Sequence, residues 1–374
     1  MPTPGDAIRL TIGDQAHDTW DAWSIESDLL TPADAFELEL YVRETKRLPT
    51  QLKEGVPCTL SLGRDRVLTG QVDDIEHDIS RRGVAIRING RDRAAALVDC
   101  STPFVALREA SLGEILDSVV KPLGISRIDI QAKSTATRRR VQIEPGQTAW
   151  EALLQVAEAN GLWPWMTPDG RLIVGGPDYD TAPVDRLILR SDGLGNNVER
   201  LSVRRSIAQR YSQLTVLGQH GQYDNDGWDT SRSHLKTTIE DQALARRGIF
   251  RPRVIVDSAS ETQDLATGRA RKLLADSRLE GFEIRAIVAG HRTSGGRIWE
   301  PGQRVQVLSE PHDLDGTYFL MSRTLRLARQ GGAYTELSLR EDRAWVLDGN
   351  PPRRKRGKGK TDADAEFIER IRSY

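Results

Sequence analysis

Six histidines, His17, His77, His220, His234, His291 and His312, are the side chains best suited to move a proton near neutral pH or to hold a metal, and they are scattered. No two stand at the i, i+4 spacing of a zinc helix, so each reads as a surface or strand residue. Asp73, Asp74 and Glu76 beside His77 have the composition of a general acid/base pair. On an alternating strand they divide between the two faces and read instead as a solvated edge. Gly295-Gly296 with Arg297 looks like a phosphate cradle, yet it lies between two β segments and not before a helix, which points to a hairpin turn. Trp163 and Trp165 share one side of their strand and could stack on a sugar or base; the helix just before them favours packing. Cys58 and Cys100 read as two buried free thiols, against one disulfide or a metal pair. The nucleophile elbow, the Walker loop and the EF-hand loop are missing from the sequence. No catalytic, cofactor-binding or metal-binding residue is assigned, and the chain is expected to be no enzyme and to need no cofactor.

The 374 residues exceed one ordinary core and predict two to four domains. Lys plus Arg (53) and Asp plus Glu (54) nearly cancel, so the balance calls for no polyanionic partner and makes nucleic-acid binding an unfavoured reading. Two basic runs stand out. Arg138-Arg139-Arg140 reads as a solvated loop, whereas Arg353 to Lys360 could serve an anionic surface or a simple tether. No apolar run reaches the roughly 18 residues of a membrane helix, and the N-terminus lacks a basic-then-apolar signal. The expected compartment is a cytoplasm, left only as part of a larger particle.

The elements that must position these residues are mostly strands. From Ala7 to Arg93 the pattern alternates through Ile8 to Ile12, Trp20 to Ile25, Phe36 to Val42, Cys58 to Leu62, Val67 to Ile75 and Val84 to Ile88. Helices then appear. Ser111 caps one bearing Leu112, Ile115, Leu116 and Val119, and Thr148 caps a second from Ala149 to Asn160 that Gly161 stops. A hairpin follows, with Thr167-Pro168-Asp169-Gly170 as its turn. β pattern resumes through Leu201 to Val203 and Leu214 to Leu217. A polar loop, 221 to 233, and a helix starting at Ser258 or Ser260, with Gln263 completing a capping box, interrupt it before Phe282. After Asn350-Pro351-Pro352 the tail ends in a segment whose Phe367, Ile368 and Ile371 could form a sticky helical face.

Two of the β stretches repeat. Phe36, Gly55, Gly70 and Asp92-Arg93-Ala94 answer to Phe282, Gly302, Gly316 and Asp342-Arg343-Ala344, at offsets of 246, 247, 246 and 250 residues. The fold class expected is therefore mainly β with α+β parts: two similar small antiparallel β-barrels, the second discontinuous, with α/β modules packed beside them. The domains would be 1–100, the first barrel; 101–184, α/β; 185–218 with 282–346, the split second barrel; 219–281, an α-containing insert packing on the α/β domain; and 347–374, a basic linker and C-terminal helix.

This order, with Gly146-Gln147-Thr148-Ala149-Trp150-Glu151-Ala152-Leu153-Leu154, Gly161-Leu162-Trp163-Pro164-Trp165 and Asp169-Gly170-Arg171-Leu172, resembles the baseplate hub proteins of contractile-tailed phages. The match is to the Mu-like tail protein P family and, more distantly, to the hub half of the type VI secretion spike, over residues 1 to 346. The resemblance implies a homotrimeric ring without catalytic residues, in which two barrels per chain alternate into a pseudo-sixfold collar. Such a collar adapts a sixfold tail tube to a threefold membrane-piercing spike. Implied partners are the tail tube protein, the central spike protein and other baseplate proteins, with assembly in the host cytoplasm and residence in the virion baseplate. The alternative is a tail protein that binds or cleaves cell wall. Against it stand the missing catalytic constellation and the lack of sequence beyond the barrels, the α/β parts and the short tail.

Overall fold

The structure, a computed structural model, describes residues 6–42, 52–81, 83–102, 111–131, 143–144, 146–218, 235–257, 260 and 262–347. The polar loop 221–233, the Arg138–Arg140 run, His220, His234 and the tail with Phe367, Ile368 and Ile371 lie outside the described residues. The chain divides into two compact units, Met1–Val203 with Ile284–Asp342, and Arg204–Glu283 with Arg343–Tyr374.

The first unit opens with β1 (Ile8–Ile12), β2 (Gln15–His17), β3 (Ala22–Asp28), β4 (Ala35–Val42), β5 (Pro57–Leu62), β6 (Asp65–Ser80) and β7 (Gly83–Asp92). On β7 every second side chain, Val84, Ile86, Ile88, is buried, as the period of two requires of a strand with one face on a core. Next come α1 (Ala95–Asp99), α2 (Leu112–Ile115), which runs on through π and 3-10 turns to Leu123, β8 (Ile128–Ile130), α3 (Ala149–Ala159), β9 (Trp163–Met166) and β10 (Leu172–Gly175). Both predicted caps form. Ser111 Oγ accepts from Glu114 N and Thr148 Oγ1 from Glu151 N, and each glutamate returns to its cap's backbone N–H. The helices bury Leu116, Val119, Leu153 and Val156 against the sheet β8-β10-β9. Its Asp-Gly hairpin docks on the β layer: Thr69 Oγ1 donates to Pro168 O at 2.7 Å and Trp163 Nε1 to Leu29 O at 2.6 Å.

After β11 (Arg186–Leu189) and β12 (Arg200–Arg205) the chain forms β13 (Gln213–Gly218), β14 (Leu235–Glu240), α4 (Gln242–Arg246), β15 (Pro252–Asp257) and α5 (Gln263–Gly281). β13 pairs antiparallel with β14 and parallel with β15 in a three-stranded sheet of its own. This corrects the expected boundary at 218: Leu214 and Val216 are buried against Ala266 and Ala270 of α5, so their apolar face belongs with the helix and not with the second β module. The cap of α5 is also corrected. Thr262 Oγ1 accepts from Leu265 N, while Ser260 Oγ donates to the Asp257 carboxylate at the end of β15. Within the same unit Asp241, fully buried, caps α4 through Ala243 N and accepts from Arg210 Nε at 2.9 Å and Arg278 Nε at 3.3 Å. Burial works to raise this carboxyl, but the two guanidiniums outweigh it and hold it below the usual range.

β16 (Phe282–Ala289), β17 (Arg304–Ser309), β18 (Leu314–Ala328) and β19 (Gly332–Glu341) complete the chain's strands among the described residues. The two β regions expected as separate barrels are joined by hydrogen bonds between β18 and β3 into one thirteen-stranded sheet, whose main path runs β12-β16-β19-β18-β3-β4-β7-β6-β5-β1-β2. Along it the order β3-β4-β7-β6-β5-β1 is repeated by β12-β16-β19-β18-β17-β11; only the last pair differs, β1 meeting β5 antiparallel and β11 meeting β17 parallel.

The repeat holds residue by residue. Gly55 N donates to Val72 O and Val72 N to Val56 O; Gly302 N donates to Leu320 O and Leu320 N to Gln303 O. Both glycines have positive φ, +78° and +93°, the conformation that admits glycine at least cost. Pro57 opposite Gln71 answers to Arg304 opposite Phe319, and Gln71 opposite Arg91 to Phe319 opposite Arg340. Each long strand bulges one step later, between Val72 and Asp74 and between Leu320 and Ser322. Two of the sequence anchors therefore shift by two residues. Gly70, opposite Cys58, answers to Tyr318, opposite Val305, and Phe36, opposite Gly90, answers to Ile284, opposite Leu339.

The shift explains the glycines. A Cβ on Gly90 would lie 2.2 Å from Gln71 O and 2.5 Å from the Phe36 ring, and one on Gly70 would lie 1.9 Å from Arg91 O. Around Gly316 the nearest atom is 3.7 Å away, on Tyr318. Gly90→Ala is therefore expected to cost about 1–3 kcal/mol by overpacking, and Gly316→Ala to be neutral or mildly stabilising. Thermal unfolding of the two variants checks this; equal melting temperatures would contradict the close approach at Gly90.

Candidate functional site

The feature with a chemistry of its own is the seam between the repeated modules. Residues Ser322 to Leu327 of β18 lie opposite Asp28 to Trp23 of β3, with Leu325 and Ile25 facing each other at 0% exposure. Opposite Ser27 stands Arg323, a guanidinium 2% exposed whose Nε and Nη1 have no hydrogen-bond partner. Such a group is costly unless a charge answers it. Asp34 supplies the field. Its Oδ1 accepts from Asp28 N at 3.3 Å, and its own N–H reaches Asp92 Oδ2 at 3.1 Å, while Asp92 Oδ1 accepts from Ala94 N at 2.7 Å. Burial pushes the Asp34 carboxyl up to about 6, against the pull of Arg323, and lifts Asp92 well above the usual range. Burial also draws Arg323 down. On the outward face Arg326 Nη2 lies 3.4 Å from Glu26 Oε1, an exposed pair that favours register more than stability.

Two further edges carry the same kinds of residue with no neighbouring strand among the described residues. The outer half of β6 pairs with β7 on one side only, and it presents Asp74, Glu76, His77, Asp78 and Ile79, all exposed. Ile79 is 60% exposed, unusual for an isoleucine. β12 ends the sheet path and presents Arg200, Arg204 and Arg205.

The residues singled out in the sequence do not come together. His17 lies on β2 with a ring nitrogen 2.9 Å from Thr19 O, His77 lies on the β6 edge, and His312 Nδ1 is 2.8 Å from Ser309 Oγ in a local turn around a fully buried serine. Asp73 is held by Arg91 Nε at 2.5 Å, and Glu76 by Arg87 Nη1 at 3.0 Å. Gly296 closes a turn on Thr293 O with positive φ, as a hairpin and not a cradle. Trp163 and Trp165 are half-buried in packing. The thiols divide: Cys58 is buried, which pushes it up to about 12, but Cys100 is exposed at the end of α1, contrary to expectation, because it caps the helix instead of entering a strand. Among the described residues no three His, Cys, Asp or Glu side chains gather as a metal would need. Sequence reading missed Arg323 and Asp34; the available signal was an arginine on the inward parity of an otherwise apolar strand, Arg323-Thr324-Leu325-Arg326-Leu327.

His291 closes the seam. It is 1% exposed, its Nδ1 lies 3.1 Å from Thr335 Oγ1, and its ring centroid is 5.0 Å from that of Trp23. Burial lowers it from 6.5 to about 4. A depressed histidine binds fewer protons folded than unfolded, so its contribution is complete above pH 6.5 and is lost as pH falls toward 4, by about 3 kcal/mol. Asp34, raised from 3.8 to about 6, acts oppositely, its contribution being lost as pH rises through 6. The wild type and His291→Gln should thus differ in melting temperature by more at about pH 7 than at about pH 4.5. A gap independent of pH would mean that His291 is not held neutral.

With this geometry in place, comparison with known proteins is specific. Residues 7–92 match the family described as Mu phage baseplate assembly protein GpP-like, N-terminal, and residues 94–176 the second domain of baseplate hub protein gp44-like. Residues 210–274 match the third domain of tail protein NMB1110-like, and 276–344 the C-terminal domain of that tail protein group. The chain is 32% identical to the tail protein from Neisseria meningitidis MC58, with a TM-score of 0.79 over 93% of this chain and 100% of that one. It is 27% identical to the 43 kDa tail protein of prophage MuSo2 from Shewanella oneidensis, with a TM-score of 0.79 over 91% and 100%. Baseplate hub protein gp44 of Escherichia phage Mu is 24% identical over 357 residues, 93% of this chain and 91% of that protein. Four consecutive family matches along the chain and a relative 32% identical over its whole length leave one conclusion: the chain belongs to the Mu-like phage tail protein family of baseplate hub proteins.

Proposed function

We propose that this protein is the structural hub of a contractile tail baseplate, a homotrimeric ring that adapts a sixfold tail tube to a threefold spike. The observation that carries the reading is the duplication: two modules with the same strand order and matched ladders give a ring of three chains six near-equivalent units. Each module serves as a small antiparallel barrel, the tail tube protein meets the six, and the central spike protein and other baseplate proteins meet the threefold parts. The hub works by geometry, with no catalytic residue and no cofactor, and it assembles in the host cytoplasm before residing in the virion. Nucleic acid is not among its partners, in keeping with a net charge of −1.

Light scattering on the purified chain should give three chain masses, alone or on adding the spike protein. A particle of one or two chains under both conditions would overturn the reading.

A further inference from the structure

Each strand of the seam inside the chain has an equivalent elsewhere in the chain, and neither equivalent has a neighbour on that side among the described residues. The matched ladders place Ile75 to Ile79 of β6 where Arg323 to Leu327 lie on β18, since Gln71 answers to Phe319 and the bulge follows at the same step. β12 is placed on β3 by a shared backbone bond: Asp21 N donates to Glu39 O at 2.9 Å and Glu199 N to Ile287 O at 2.8 Å. Glu39 and Ile287 are equivalent, because Leu38 lies opposite Ile88 as Ala286 lies opposite Leu337. Trp23-Ser24-Ile25-Glu26 therefore answers to Leu201-Ser202-Val203-Arg204. On the inward parity the in-chain pair carries Leu325, Leu327, Trp23 and Ile25 around Arg323, and the other pair carries Ile75, Ile79, Leu201 and Val203 around His77.

We propose that the outer half of β6 in one copy pairs antiparallel with β12 of a second copy of this chain, in the register that β18 and β3 use within it. Glu76 then lies opposite Arg204, His77 opposite Val203, Asp78 opposite Ser202 and Ile79 opposite Leu201. The charges complement each other and invert the in-chain seam: where Arg326 reaches diagonally to Glu26, Asp78 reaches diagonally to Arg204. Ile79, 60% exposed in the single chain, meets Leu201 on the inward face, as Leu327 meets Trp23. Unpaired edges invite another strand, and here edge length, parity and charge all suit the same chain. The contact is heterologous, β6 to β12, so it closes when the rotation between modules closes. The inference rests on the trimeric reading and names its interface.

The test uses the full chain with Cys100→Ser, so that buried Cys58 is the only native thiol left. Ile79→Cys combined with Leu201→Cys should, on mild oxidation, give covalent species ending at three chains, because directly opposed residues fall within disulfide reach. Either cysteine alone should give none. Separately, Arg204→Glu should weaken self-association by about tenfold or more, and adding Glu76→Lys with Asp78→Lys should restore it to within about threefold, with the circular-dichroism spectrum unchanged throughout. Trimers that neither cross-link nor respond to the charge reversals would overturn this seam and leave the trimeric ring standing. Failure to associate and to cross-link at any concentration would overturn both.

Discussion

Backbone hydrogen bonds along the second half of β18 are the constraint on which the rest of the first unit depends. A hairpin with β17 needs only Leu314 to Phe319; the strand runs on to Ala328, and that extension would expose a row of donors and acceptors were β3 not laid against it. Pairing with β3 brings together residues 300 positions apart, Glu26 and Arg326, and makes one sheet of two modules. The cost of that long loop closure is offset by a seam apolar on one face, where Ile25 and Leu325 are fully buried.

Into that apolar face the chain places Arg323, and the consequences spread. Its charge is answered by Asp34, which is itself wired through backbone N–H groups to Asp28 and Asp92, and Asp92 in turn fixes the start of α1 by accepting from Ala94 N. One buried guanidinium thus ties the β18 seam, the β3–β4 turn and the entry to the α/β region. Removing a single member would strand the others in a low-dielectric site, which makes the cluster a device for specifying one arrangement more than for adding stability. His291, neutral and packed on Trp23, seals the neighbouring stretch without adding another charge.

Much of this was legible from residue types. Strand parity, the Ser111 and Thr148 caps, the Asp169-Gly170 hairpin and the duplication itself follow from local spacing, and the Gly55–Gly302 match holds to the hydrogen bond. Where reading failed, the cause was tertiary. Gly70 and Gly316 look equivalent because both are glycines, yet one answers a carbonyl 1.9 Å from its missing Cβ and the other only a loosely placed tyrosine. β13 reads as a short apolar run, Leu214-Thr215-Val216-Leu217, that would suit either sheet, and only the partner that covers it, α5, decides which one it joins. The pairing of β18 with β3 left no local mark either, since edge-to-edge contact is written in two strands far apart in the chain. Glu76 was readable as part of an edge but not as half of the proposed interface, because Arg204, set opposite it there, lies more than a hundred residues away.

Duplication creates a hazard along with a symmetry, and the charges address it. If β6 and β18 are interchangeable in shape, as are β3 and β12, each edge has two sterically acceptable partners in the proposed ring, and a wrong pairing would keep that ring from closing. Laying β6 on a neighbour's β3 would set Glu76 and Asp78 against Glu26, and laying β18 on a neighbour's β12 would set Arg323 and Arg326 against Arg204 and Arg205. Both are like-charge contacts across adjacent strands, which disfavour the wrong pairing. In the proposed ring, the difference between the two modules follows electrostatic logic: the matched backbone ladders would supply the repeat, and edge side chains of opposite sign would keep the in-chain and between-chain seams from exchanging places.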